Sequence, residues 1–150
     1  MSRSVAATAM LVTALPALLG QAPVQYAGGT AAEFVAGAQG RIELTDDQYF
    51  AFYSKKAQLR IPYDHINLLE YGQQVSRNLA VAALISPLFL LAKSRKHFLT
   101  VGYTSDGGKQ EAMVFRVGKN NIRVLLVSLE ARTGLKVEYQ DEEARKAGKG

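Results

Sequence analysis

From residue 24 to residue 117 the chain is cut into short alternating segments, each closed by residues that favour turns. VQYAGGT (24–30) ends on Gly28-Gly29 and is followed by the Gly/Ala-rich connection AAEFVAGAQG. RIELTDD (41–47) puts Ile42 and Leu44 on one face and Arg41, Glu43 and Thr45 on the other, and Asp46-Asp47 marks a turn. QYFAFYS (48–54), QLRIPY (58–63) and INLLEYG (66–72) follow, and HFLTVGYT (97–104) is joined to EAMVFRV (111–117) through SDGGK. Asp-Gly and Gly-Gly tolerate positive φ, so SDGGK is a strong hairpin signal. Period-two segments of this length, separated by turns, predict an antiparallel, mainly β chain with seven strands.

After residue 118 the period changes. Ile122, Leu125, Leu126 and Leu129 recur at i, i+3, i+4 and i+7, one face of a helix. Asn120 or Asn121 is expected to cap its start, Gly134 stands where a C′ glycine belongs, and Arg132 suits the negative end of the helix dipole. The remainder, residues 135–150, is small and charged and is expected to be a flexible tail.

The length of 150 residues fits one domain with extensions, and 48% hydrophobic residues supply a core. The absence of cysteine excludes disulfides, thiolate catalysis, thiolate-ligated metals and a lipidated N-terminal cysteine. Arg3, an apolar run from Val5 to Leu19 and the small residues of Gly20-Gln21-Ala22 follow the order of a secretory signal peptide. Residues 1–22 are therefore expected to be an export signal, or an uncleaved anchor, which places the protein in a periplasmic or extracellular setting. Removing them takes away Arg3 alone, so the net charge falls from +5 to +4. A charge this small and scattered does not point to nucleic acid.

The chain offers little for catalysis. His65 and His97 are the only histidines and lie far apart in sequence. Asp64-His65 sits in a turn, where an Asp capping the backbone is the ordinary reading. Asp46-Asp47 belongs to a turn and Asp141-Glu142-Glu143 to the tail, so neither makes a catalytic carboxylate pair. Metal ligation needs His and carboxylates at short spacing, which the sequence lacks, and Gly107-Gly108 is a turn rather than a phosphate cradle. No catalytic residue, metal or cofactor is expected. Of the aromatic cluster, Tyr49, Phe50, Phe52 and Tyr53 are read mainly as core.

Three stretches carry a family resemblance: GRIELTDDQYFAFYS (40–54), LRIPYDHINLLEYG (59–72) and HFLTVGYTSDGGKQEAMVFRV (97–117). With the helix that follows, residues 23–134 resemble the bacterial pleckstrin-homology-like (PH-like, GRAM-like) domains. The resemblance implies a seven-stranded, partly open barrel or orthogonal sandwich with a C-terminal helix plugging one end. It implies little about function, because the fold is a scaffold for many kinds of binding. Relatives that hold phosphoinositides use closely placed Lys and Arg on the first strands and their loop. Here YAGGTAAEFVAGAQGR has no lysine and a single arginine at its far end, so phosphoinositide binding is not supported.

One stretch escapes the strand pattern. VSRNLAVAALISPLFLLAKSRKHFLTV (75–101) is almost wholly apolar from Leu79 to Ala92, with Pro87 inside. It predicts a helical insertion, residues 75–96, before the sixth strand. Its 14 residues, polar only at Ser86, would reach about 21 Å as a helix, short of a hydrocarbon core about 30 Å thick. A span would also put strands of one domain on opposite sides of a bilayer. Two readings remain. Leu84, Ile85, Leu88, Phe89 and Leu90 reach into a lipid surface while Arg77, Lys93, Arg95 and Lys96 meet headgroups; alternatively, the insertion is buried against the domain or in a protein or homo-oligomer contact. The expectation is a non-catalytic binding module, peripheral to a membrane lipid surface or docked on a protein partner. A small-ligand carrier is the weakest alternative, since small barrels are filled by their own side chains.

Overall fold

A computed structural model of the chain describes residues 20–74 and 96–149. Seven strands come first: β1 (Gln21–Gly29), β2 (Gln39–Glu43), β3 (Tyr49–Ser54), β4 (Gln58–Pro62), β5 (Ile66–Gly72), β6 (His97–Thr104) and β7 (Gln110–Val117). Helix α1 (Lys119–Thr133), strand β8 (Glu138–Tyr139) and helix α2 (Glu142–Lys149) complete them. All eight strands form one sheet in the order β4-β3-β2-β1-β7-β6-β5-β8. β4 and β5 stand near opposite ends of that order, yet only the 3₁₀ turn Tyr63–His65 joins them. So short a link requires the sheet to curl until its ends approach, and the architecture is a β-rich, partly closed sheet with helices at the C-terminal end.

Turn chemistry sets the strand lengths. Asp46 accepts hydrogen bonds from the backbone N–H groups of Gln48 and Tyr49, at 2.7 and 3.1 Å, and turns the chain into β3. Ser54 Oγ accepts from the N–H of Ala57 at 3.1 Å and closes the β3–β4 turn. Between β6 and β7, Ser105 and Lys109 close the expected hairpin, with Gly108 at φ +78°. Gly134, at φ +75°, ends α1 by donating its N–H to the Glu130 carbonyl, as its position in the sequence predicts.

Three expectations change. β1 begins at Gln21, three residues before Val24, with Gln21 opposite Glu43 and Ala22 opposite Ile42. Cleavage after Ala22 would remove those rungs; residues 1–19 of the expected export signal lie outside the described residues. Helix α1 starts at Gly118, in an extended conformation and without a side-chain cap, rather than at Asn120 or Asn121. Both asparagines are already inside the first turn. Finally, residues 135–149 are not a loose tail among the described residues. β8 pairs in parallel with β5, and α2 packs Ala144, 1% exposed, into the core. The small residues Ala144 and Gly148 let α2 approach Tyr71 and Tyr139; a Cβ at Gly148 would sit 2.6 Å from the Tyr139 ring. The stretch reads as a tail because residues 140–149 hold no large apolar residue; Leu135, Val137 and Tyr139 pack on the core, and α2 follows them through Ala144 and Gly148.

The inward residues of the strands and α1 form one large cluster. Tyr26, Phe50, Phe52, Leu99 and Phe115 are at most 2% exposed. Phe52 and Phe115 meet edge to face at 4.9 Å, and Phe34 packs on Phe52 at the same distance. Ile122, Leu125, Leu126 and Leu129 bring α1 onto this cluster, as their spacing predicts. Alternation in β3 separates Phe50 and Phe52, which are inside, from Tyr49 and Tyr53, which lie under the Arg60 and Arg41 guanidinium groups at 4.6 and 4.9 Å.

Candidate functional site

β5 and β6 pair antiparallel from Ile66 opposite Tyr103 to Gly72 opposite Phe98. Paired residues of such a ladder lie about 5 Å apart. Residues 73–97 therefore depart and return at one end of the sheet, beside each other. Of the residues singled out there, Lys96 is described; Arg77, Leu84, Ile85, Leu88, Phe89, Leu90, Lys93 and Arg95 lie outside the described residues.

The outer face of β1, β7 and β6 at this end has two zones. Ala27, Phe98, Ala112 and Val114 make a second apolar cluster, separate from the core, and all are 6% exposed or less. Alternation places these residues outside, opposite the inward Tyr26, Met113 and Phe115, and a bulge in β1 shifts the register beside them from Tyr26–Phe115 to Gly28–Val114. The buried apolar residues of α1 and α2 all belong to the inner cluster, so neither described helix caps this one.

Next to it, towards the chain end of β7, is a groove of about 510 Å³. Pro23, Val24 and Gln25 of β1, Gln39 of β2, Lys96 and His97, and the run Arg116 to Lys119 line it. Arg116 stands on the outer face because Phe115 and Val117 point inward; its cross-strand neighbours are Gln25 and Phe98. Lys119 opens α1, whose first turn carries no acidic side chain. His97 Nδ1 and the Tyr71 hydroxyl share a hydrogen bond of 2.6 Å, with the rings stacked at 5.9 Å. Burial, and then the Lys119 charge, lower the His97 pKa, while burial raises that of Tyr71. Both shifts favour a neutral imidazole beside a neutral phenol.

Elsewhere the polar groups are structural. Asp64, exposed, and His65, half-buried, are 4.0 Å apart, and among the described residues no third group is shown beside them. Among the described residues no cluster of three or more His, Asp or Glu could hold a metal, and no described helix is long and apolar enough to cross a membrane. Asp46 is held below the usual carboxylate range, first by the Gln48 N–H. Arg132 ion-pairs with Asp47 rather than acting only on the helix dipole, and its pKa is raised by that bond. The Tyr63 hydroxyl is buried without a hydrogen-bond partner, and burial pushes its pKa up to about 12.

Sequence reasoning found Lys96 and missed Arg116, His97 and Lys119 as its companions. Alternation alone places Arg116 on the outer face, but bringing it beside Lys96 needs the β1-β7-β6 order. No family model and no curated protein matches the chain.

Proposed function

We propose that this protein is a non-catalytic binding module of the PH-like kind, exported, that associates peripherally with an anionic membrane surface. The apolar run Leu79–Ala92 would enter the lipid, with Leu84, Ile85, Leu88, Phe89 and Leu90 as its apolar residues and Arg77, Lys93, Arg95 and Lys96 among headgroups. The observation that carries this reading is the adjacency of Gly72 and Phe98. A segment whose two ends lie about 5 Å apart must enter and leave on one side of a bilayer, which is the geometry of a peripheral insertion. The basic groove at its root supports the same orientation, since it presents Lys96, Arg116 and Lys119 beside the insertion. Each apolar side chain buried in lipid contributes about 1.5–3 kcal/mol, and each basic residue about 1 kcal/mol on an anionic leaflet.

A second reading rests on a different observation: the outer cluster of Ala27, Phe98, Ala112 and Val114 is buried, although the described helices pack on the other face. On this reading the insertion covers that cluster, and the protein acts through protein contacts or as a homo-oligomer. Co-sedimentation of residues 20–150 with neutral and anionic vesicles separates the two. The membrane reading expects anionic vesicles to pull down the protein, and Leu88→Ser with Phe89→Ser to abolish this while circular dichroism stays native. Wild-type protein left in the supernatant, with the substituted form unfolded, would transfer the insertion to the core.

A further inference from the structure

The groove holds positive charge, and among the described residues no acidic side chain lines it. All thirteen acidic residues of the chain are among the described residues, and none lines the groove. Residues 1–19 and 75–95 contain no Asp or Glu, so they have no carboxylate to add. The other described arginines are engaged: Arg41 with Glu43, Arg60 with Asp46, Arg132 with Asp47, Arg145 with Glu142, and Arg123 with the Ala147 carbonyl. Arg116 has no such partner, although its cross-strand positions are where a sheet would supply one. The α1 N-terminus adds donors. The Gly118 carbonyl accepts from Asn121 and Ile122, no side chain caps the turn, and Gly118 and Lys119 line the groove. The volume of about 510 Å³ exceeds that of a bare ion and falls in the range of small-molecule sites. Pro23, exposed beside the inward-facing Val24, gives it an apolar side.

We propose that this groove is a binding site for a phosphomonoester: Arg116, Lys96 and Lys119 hold the phosphate, the α1 N-terminus donates to it, and the apolar side takes the organic body. Arg116 is the principal ligand, because its planar fork matches two phosphate oxygens. His97 stands at the margin. The site lies on the outer face of β1, β7 and β6, beside the point where β2 begins at Gln39, and it does not depend on the membrane reading. A lipid headgroup and a soluble phosphomonoester present the same chemistry, and they are distinguished experimentally.

The test is a titration of the full chain with glycerol 3-phosphate, followed by the His97 ring signals and the backbone amides of residues 116–119 in NMR spectra. Saturable shifts are expected, with affinity falling about tenfold in Arg116→Gln and less in Lys119→Gln. Leu88→Ser/Phe89→Ser should bind glycerol 3-phosphate as the wild type does, which separates this site from the insertion. Phosphatidic acid vesicles supply the second arm. An Arg116-dependent preference for them over phosphatidylcholine vesicles assigns the groove to a headgroup, and soluble binding without that preference assigns it to a free ligand. Absence of saturable shifts at tens of millimolar ligand, or equal affinity in folded Arg116→Gln, would overturn the proposal.

Discussion

The two faces of β1, β7 and β6 are built from alternate residues of the same strands and serve opposite ends. Inside, Tyr26, Leu99 and Phe115 meet the other strands and α1 in a cluster closed to solvent. Outside, Gln25, Phe98 and Arg116 stand across from one another, grading from a buried apolar patch into a basic groove. The inner face has each apolar group matched and gains stability from it. The outer face gathers Lys96, Arg116 and Lys119 with no acidic side chain among the groove's lining residues.

The comparison is broken most severely from inside. Phe115→Ala removes a ring packed against Tyr26, Phe50 and Phe52 and should cost about 3–5 kcal/mol in urea unfolding. A loss below about 1 kcal/mol would mean that the inner cluster does not hold the fold. Next in size is Gly148→Leu, whose side chain would collide with Tyr139 and Tyr71. It should release α2, seen as faster amide exchange in residues 138–149, while strands β1–β7 keep their protection. Smaller still is Tyr63→Phe. It removes a buried hydroxyl that has no partner, so stability should stay level or rise by about 1 kcal/mol. A clear loss would identify a bond to that hydroxyl.

The smallest effect concerns His97. Its folded pKa lies below the ordinary 6.5, because burial and the Lys119 charge disfavour imidazolium. Below pH 6.5 the unfolded chain therefore binds more protons at this site than the folded one. The contribution is present above pH 6.5 and is lost as pH falls towards the folded pKa. Wild type should lose stability over that window relative to His97→Gln, whose amide can still hydrogen-bond to Tyr71. Lys96, Lys119 and Arg116, the charges that share the groove with His97, all act in the same direction. An opposite slope would place an unrecognised anion beside the ring.

Much of the fold was legible because each strand carries its own period and its own turn. Asp46, Ser54, Gly108 and Gly134 mark ends that the structure places within a residue or two of where the sequence puts them. The export boundary is less simple, since Gln21 and Ala22 look like processing residues and are strand residues. Helix α2 was hidden because Ala144 and Gly148 act through close approach, which leaves no hydrophobic signature. The groove was legible only at Lys96. Arg116 and Lys119 follow it by 20 residues or more, and nothing local in the chain reveals that β7 lies between β1 and β6.

The most direct measurement takes one outer-face variant, Arg116→Gln, and reads two quantities on the same sample: the unfolding midpoint and the affinity for glycerol 3-phosphate. The division of labour between the faces predicts a stability change within about 0.5 kcal/mol, with affinity down about tenfold. A variant that loses several kcal/mol of stability yet binds glycerol 3-phosphate as the wild type does would contradict it, and Arg116 would then belong to the scaffold.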